Sequence, residues 1–210
     1  MYDQTLFISR AKEICEVGQF LFARGWSPAT SSNYSCRLDD KYIAITVSGQ
    51  SKGELTPHDI MVVDTTGKAV DTHKKPSAET LLHTMLYEYD NSIGAVLHTH
   101  SVNATVLSKY YAAQSCFPVE DYEILKAFAG TDSHEVRFSM PIFPNTQDMI
   151  ALSKQVDDYL AKNPTIHGYL IAGHGLYTWG KSIAETRRHV EACEFLFECE
   201  ILNLQINNKG

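Results

Sequence analysis

Ile93-Gly94-Ala95-Val96-Leu97-His98-Thr99-His100 is the stretch that decides the reading of this chain. Its apolar half reads as a buried strand, bounded where the polar pair begins. Residues i and i+2 of a strand project to the same face, so the imidazoles of His98 and His100 are predicted to converge where the strand runs out. The arrangement recurs downstream. Tyr169-Leu170-Ile171 is a second apolar run, and it leads into Ala172-Gly173-His174-Gly175. Glycines on both sides of His174 permit close backbone approach. Three histidines at strand ends describe an open three-histidine metal site, a type that leaves a coordination position for water or substrate.

Working outward, Asp3 caps an expected first helix to about Arg24, with Leu6, Ile14, Val17 and Leu21 near one face and Gly25 as its stop. Strands are predicted at Tyr34–Leu38, Tyr42–Ser48 and Ile60–Asp64. Pro76-Ser77 opens a helix over Ala78–Tyr89. Strand Ile93–His98 follows, then a short helix around Asn103–Lys109. Tyr110–Val136 carries little pattern beyond a helix near Tyr122–Phe128. Arg137–Met140 is expected as an edge strand, Asp148–Lys162 as a helix and Tyr169–Ala172 as a strand. Ser182, with Glu185 three residues on, forms a capping box for a last helix to about Leu204. Early hairpins and later strands flanked by helices imply a mixed sheet covered by helices in a layered α/β domain.

The bulk numbers narrow the function. At 210 residues and 44% hydrophobic content, the chain suits one domain, residues 1–210. A net charge of −7 argues against general nucleic-acid binding. The five cysteines are odd in number and form no Cys-x-x-Cys, so reduced thiols in a cytoplasm are expected. Met1-Tyr2-Asp3-Gln4 lacks the basic and apolar regions of a signal peptide. No run approaches the ~20 apolar residues of a membrane span.

Other histidines carry less. His58, His73, His134 and His167 lie in polar stretches and read as solvated, and His189 reads as a packing residue of the last helix. Two carboxylates are open to two readings. Glu79 precedes His83 by four residues, which is either a routine helical pair or a carboxylate beside the metal. Glu123, in Asp121-Tyr122-Glu123-Ile124-Leu125, is either a solvated helix face or an acid/base in the metal cleft, where partial burial would raise its pKa. Three hydroxyl-rich loops suggest a phosphate site: Thr30-Ser31-Ser32-Asn33-Tyr34-Ser35, Ser48-Gly49-Gln50-Ser51-Lys52-Gly53 and Lys74-Lys75-Pro76-Ser77. Neither a Walker loop nor a Gly-x-Gly-x-x-Gly fingerprint is present.

In this order, the Asn33 loop, Ser48-Gly49, Pro76-Ser77-Ala78-Glu79, His98-Thr99-His100 and Ala172-Gly173-His174-Gly175 resemble the class II aldolase/adducin family over nearly the whole chain. The resemblance implies a three-layer α/β/α fold with a central mixed, largely antiparallel sheet. It implies a homotetramer with sites near subunit interfaces, and one Zn²⁺ per subunit on His98, His100 and His174. Ser32, Asn33, Ser48, Gly49 and Ser77 take the phosphate positions. Glu123 takes the acid/base position of the family's dehydratases, and Glu79 that of the carboxylate in its sugar-phosphate aldolases. The nearest likeness within the family implies loss of water from 5-methylthioribulose 1-phosphate, giving 2,3-diketo-5-methylthiopentyl 1-phosphate in methionine salvage. Sugar-phosphate aldolase, pentulose-phosphate 4-epimerase and non-catalytic adducin-like scaffold are the alternatives. Ser32 departs from the Gly-Asn of many members. Trp26 is a candidate for the methylthio group, with core packing its plainer role.

Overall fold

A computed structural model describes residues 2–207. Eight strands form one sheet: β1 (Asn33–Arg37), β2 (Tyr42–Thr46), β3 (Ile60–Asp64), β4 (Ala95–Thr99), β5 (Cys116–Val119), β6 (Phe138–Phe143), β7 (Gly168–Ile171) and β8 (Gly175–Gly180). Their spatial order is β3-β2-β1-β4-β8-β7-β6-β5. Every neighbouring pair is antiparallel except β6 and β7. β4, the strand that ends in the His-x-His pair, is therefore central, with β1 on one side and β8 on the other.

Five helices cover the sheet: α1 (Gln4–Ala23), α2 (Thr80–Tyr89), α3 (Val102–Tyr110), α4 (Met149–Leu160) and α5 (Ile183–Asn207). On one face Leu82, Met85 and Leu86 of α2 join Leu152, Val156 and Leu160 of α4 over Ile43, Ile45, Val96 and Tyr169. On the other, Ile14, Val17 and Leu21 of α1 pack over Tyr34, Cys36, Ala44 and Leu97. Beside them, Leu107 of α3 and Leu196 and Phe197 of α5 enclose Met140, Leu170 and Leu176. This is the three-layer α/β/α arrangement with a mixed, largely antiparallel sheet. Strand alternation divides the residues as two-fold periodicity requires: Tyr34 and Cys36 enter the α1 layer, whereas Ser35 reaches His83 and Tyr87 of α2.

The caps follow the sequence. Asp3 accepts from Thr5 N and Leu6 N at 2.7 and 3.2 Å, and Gly25 has φ +75° beyond the last turn of α1. Ser182 Oγ accepts from Glu185 N at 3.2 Å, but the Glu185 carboxylate reaches Lys181 N at 2.6 Å rather than the cap itself. All five cysteines are free. Among the described residues no helix is long and apolar enough to cross a membrane.

Three expectations need correction. Strand β8 was not anticipated, since Gly175-Leu176-Tyr177-Thr178-Trp179-Gly180 sits between a turn and a cap and shows no clean alternation. Its burial on both sides explains that. The segment expected as an edge strand at Arg137–Met140 is β6, which lies inside the sheet; the edge is β5, where Pro118 costs no ladder bond on its open side. The helix expected near Tyr122–Phe128 is a short 3₁₀ turn, Glu123–Ala127.

One buried carboxyl stands apart from the site. Glu194 of α5 is 2% exposed, and its oxygens have no hydrogen-bond partner among the described residues. Burial pushes its carboxyl up to about 8. The native state therefore keeps a proton that the unfolded chain releases near its ordinary value of 4.5. The stability this gives is complete below that value and is lost as pH rises toward about 8. Urea unfolding at about pH 5 and about pH 8 should show wild type losing a few kcal/mol relative to Glu194→Gln, at about 1.4 kcal/mol per unit. Parallel pH dependence in the two proteins would contradict this.

Candidate metal centre

His98 occupies β4 with its ring fully buried. Its Nδ1 donates to the Leu176 carbonyl of β8 at 2.9 Å, which leaves Nε2 as a lone pair. The ring stacks on Tyr177 at a centroid distance of 4.0 Å and 14° between planes. His100 lies just past the strand, where its N–H donates to the Trp26 carbonyl at 2.8 Å. His174 sits in the tight β7–β8 turn, with its N–H on the Ile171 carbonyl at 3.0 Å and its own carbonyl accepting from Thr105 Oγ1 at 3.0 Å. Gly173 adopts φ +63°, and a Cβ on Gly175 would lie 2.0 Å from the Thr99 carbonyl. Glycine at 175 is thus what lets β8 close on β4 beside the histidines.

The three imidazole centroids lie 4.5, 5.0 and 4.6 Å apart. Glu79, the residue before α2, completes the group. Its Oε1 is 3.0 Å from His174 Nε2, its Oε2 is 3.6 Å from His98 Nε2, and Asn33 Nδ2 donates to Oε2 at 2.6 Å. Burial pushes the Glu79 carboxyl up. The His174 hydrogen bond, the charges of His98 and His174 and the Asn33 amide outweigh it and hold the carboxyl well below the usual range. Burial drives His98 well below its ordinary value, and burial with the neighbouring His174 takes His100 down to about 4. The site therefore sets an ionised carboxylate among three histidines, of which burial holds His98 and His100 toward the neutral form.

That donor set fits a divalent cation. One ligand atom from each of Glu79, His98, His100 and His174 lies within 4.8 Å of all the others. His98 Nε2 is buried and has no hydrogen-bond partner among the described residues. A buried lone pair left without a donor costs free energy unless something fills the space it faces. Imidazole and carboxylate donors suit zinc and its first-row neighbours.

A cleft of about 150 Å³ opens next to this centre. All three hydroxyl-rich loops border it: Thr30–Asn33, Val47–Gly49 and Ser77, with Glu79 and His100 at its inner end. The structure thus brings Ser32, Asn33, Ser48, Gly49 and Ser77 together. Lys52 fastens the first two loops, donating to the Gln50 carbonyl at 2.6 Å and the Thr30 carbonyl at 3.4 Å, and burial lowers its pKa to about 8. Ser48 N on the Lys75 carbonyl at 3.3 Å ties the second loop to the third. Ser32 stands at φ +72°, a left-handed conformation that glycine adopts without strain.

Glu123 is elsewhere. It begins a surface 3₁₀ turn, its side chain is 73% exposed, and it pairs with Lys126 at 2.6 Å and His134 at 3.7 Å. Lys126 draws its carboxyl below the ordinary value, so the burial and raised pKa expected of a residue in the cleft are absent within one chain. His167 is another correction: it is not solvated but stacks on Phe128 at 5.4 Å and meets His189 at 5.3 Å. Trp26 packs edge-on to Phe20 at 6.4 Å, and its carbonyl positions His100. Sequence reading missed the Asn33–Glu79 contact, the hydrogen bonds of His83 to Asn33 and Ser35, and the burial of Lys52. Polar Asn33 and Ser35 at i and i+2 of a core strand were the available signal.

The profile of the class II aldolase and adducin N-terminal domain matches residues 12–201. A methylthioribulose-1-phosphate dehydratase of Marinobacter nauticus is 52% identical over 206 residues, 98% of this chain and 99% of the relative. The protein of that name from Hahella chejuensis is 55% identical over 208 residues, 99% and 100% of the two chains. Among solved structures, L-fuculose-1-phosphate aldolase of Thermus thermophilus superposes with a TM-score of 0.77 at 22% identity, over 96% of this chain and 99% of the aldolase. A sugar-phosphate aldolase of Thermotoga maritima gives 0.70 at 20% identity, over 94% and 96%. At those identities the likeness is one of fold.

Elemental analysis of the purified protein should find about one divalent metal ion per chain, as a single four-donor site requires. His98→Ala with His100→Ala should abolish it, and Glu79→Gln should weaken it roughly tenfold or more. Unchanged metal content in the double variant would remove the assignment.

Proposed function

The chain belongs to the class II aldolase and adducin N-terminal domain family, and from that premise we propose that it dehydrates 5-methylthioribulose 1-phosphate to 2,3-diketo-5-methylthiopentyl 1-phosphate, a step of methionine salvage. The observation that carries the proposal is end-to-end similarity, above half identity, to proteins named for that activity. The complete donor set speaks against a scaffold that has lost its chemistry. The reaction is that of a hydro-lyase.

Zn²⁺ is the cofactor proposed, on His98, His100 and His174. When bound it supplies Lewis acidity toward a carbonyl oxygen, so that the neighbouring C–H becomes acidic. The protein's own groups do the rest. The cleft bordered by Ser32, Asn33, Ser48, Gly49 and Ser77 receives the phosphate through hydroxyls and backbone amides, with Lys52 behind the loops as the buried cation. That anchoring sets the sugar carbons beside Glu79 and the histidines, which is orientation supplied by a remote group of the substrate. Asn33 enters this scheme differently from the serines, because its amide already serves Glu79.

Glu123 is the acid/base in this proposal, acting in the site of a neighbouring subunit of a homotetramer. Support comes from its exposure, which leaves the carboxylate free to meet a neighbouring chain. The carboxylate takes the C3 proton, then returns it to the C4 hydroxyl, which departs as water; the enol left behind tautomerises to the diketone. Proton and oxygen balance without a further reactant. General acid/base catalysis of this kind is worth roughly 10²–10⁴-fold.

One observation favours a second reading. Glu79, not Glu123, is the carboxylate that touches the histidines of its own chain, as the sugar-phosphate aldolase alternative expects. Retro-aldol cleavage of C3–C4 would release two fragments, and an epimerase would re-form that bond.

Incubation of pure protein with the methylthio pentulose phosphate should yield a product one water lighter with diketone ultraviolet absorbance. A three-carbon phosphate with an aldehyde, and no diketone, would replace this reading with the aldolase. Glu123→Gln should retain metal and lose nearly all turnover. Co-expressed with the His98→Ala, His100→Ala chain, it should regain activity in mixed oligomers, where one chain lends its carboxylate and the other its metal site. Full activity of Glu123→Gln alone would remove the residue from the mechanism.

A further inference from the structure

A polar chain runs through the core behind the metal centre, and no step described above uses it. Asn33 and Ser35 share one face of β1, and His83 and Tyr87 lie one turn apart on α2. Ser35 Oγ is 2.7 Å from His83 Nδ1 and 2.9 Å from Tyr87 OH. His83 Nε2 meets Asn33 Oδ1, and Asn33 Nδ2 donates to Glu79 Oε2 at 2.6 Å. His83 is fully buried, its ring edge-on to Tyr177 at 5.7 Å.

The direction of every bond follows from the carboxylate end. Ionised Glu79 can only accept, so Asn33 must present its NH₂ to it and its carbonyl to His83. That carbonyl can only accept, so His83 must carry its proton on Nε2. Nδ1 is then the acceptor, filled by the Ser35 hydroxyl, whose oxygen accepts from Tyr87. Each member has one workable orientation. An amide in the middle cannot pass a proton along while remaining an amide, so the chain orients groups and conducts none.

We propose that His83 is a positioning residue that, by locking the Asn33 amide, holds the Glu79 carboxylate between His98 and His174. Without the Nε2–H donor, the Asn33 carbonyl loses its partner and the amide loses one of its two anchors. The NH₂ then no longer holds the carboxylate in one place between His98 and His174. The inference rests on reading the Glu79–histidine cluster as a metal centre, and not on the identity of the substrate.

Three variants separate positioning from packing. Gln carries a donor close to the imidazole ε position, Asn reaches only the δ position, and Leu fills the space with no donor. Zn²⁺ affinity is read by chelator competition, without substrate. Urea unfolding of the metal-free proteins gives stability, and kcat and KM are followed separately. His83→Gln should bind Zn²⁺ within about threefold of wild type, whereas His83→Asn and His83→Leu should lose roughly tenfold or more, as loss of groups that orient ligands does. In the latter two kcat should fall more than KM rises. Equal affinities for the Gln and Asn variants, whether both kept or both lost, would overturn the proposal. So would a folded Leu variant with wild-type affinity. Should the Leu variant not fold, the Gln–Asn comparison still decides. Absence of Zn²⁺ binding in wild type would instead sink the metal reading itself, so the two failures are told apart.

Discussion

An ionised carboxylate enclosed by three imidazoles is the constraint on which the rest of this molecule depends. Glu79 sits 3.0 Å from His174 and 3.6 Å from His98, in surroundings dry enough to drive His98 and His100 well below their usual protonation. Charge of one sign in such a place requires a partner. His98 and His100 are held toward their neutral forms by burial, and the unpartnered Nε2 of His98 marks where a cation would complete the balance. The same donors that make the site costly to the bare protein suit a divalent cation.

Several elements serve that geometry. β4 and the residue just past it supply two histidines at the centre of the sheet, and the Asn33↔His98 and His98↔Tyr177 pairings place β1 and β8 on the two sides of β4. From β1 comes the amide that fixes Glu79; from β8 come the Leu176 carbonyl that sets the His98 tautomer and the Tyr177 ring beneath it. Tyr177 is itself stacked on Tyr169 at 5.0 Å, so the ligand ring rests on a column of aromatics running into the α2–α4 layer. Rigidity at the ligands is thus inherited from ordinary core packing. The hydroxyl-rich cleft beside the histidines is built differently, from three loops held by Lys52 and by backbone bonds, and it tolerates a left-handed serine at 32.

Much of this was legible in the sequence, and the boundary is physical. Strand-end histidines after apolar runs can be read because two-fold periodicity is local. The caps at Asp3, Ser182 and Gly25 are local too. β5 and β8 escaped because their evidence is not: one is an edge strand broken by Pro118, the other a fully buried strand with no alternation. Glu79 stayed open between two readings because its i,i+4 spacing to His83 is routine. Only the fold shows that both residues meet Asn33, 46 and 50 positions away along the chain. Glu123 is the converse. Resemblance marked it as functional, while its own chain leaves it on the surface beside Lys126. A residue proposed to serve another subunit leaves no signature in the packing of its own.

The most direct test of the central claim is X-ray absorption at the zinc edge of metal-loaded protein. The account predicts three imidazole nitrogens at roughly 2.0–2.1 Å together with oxygen donors, and loss of one oxygen donor or a lengthened bond in Glu79→Gln. Two imidazoles or fewer, or any sulfur in the shell, would contradict it.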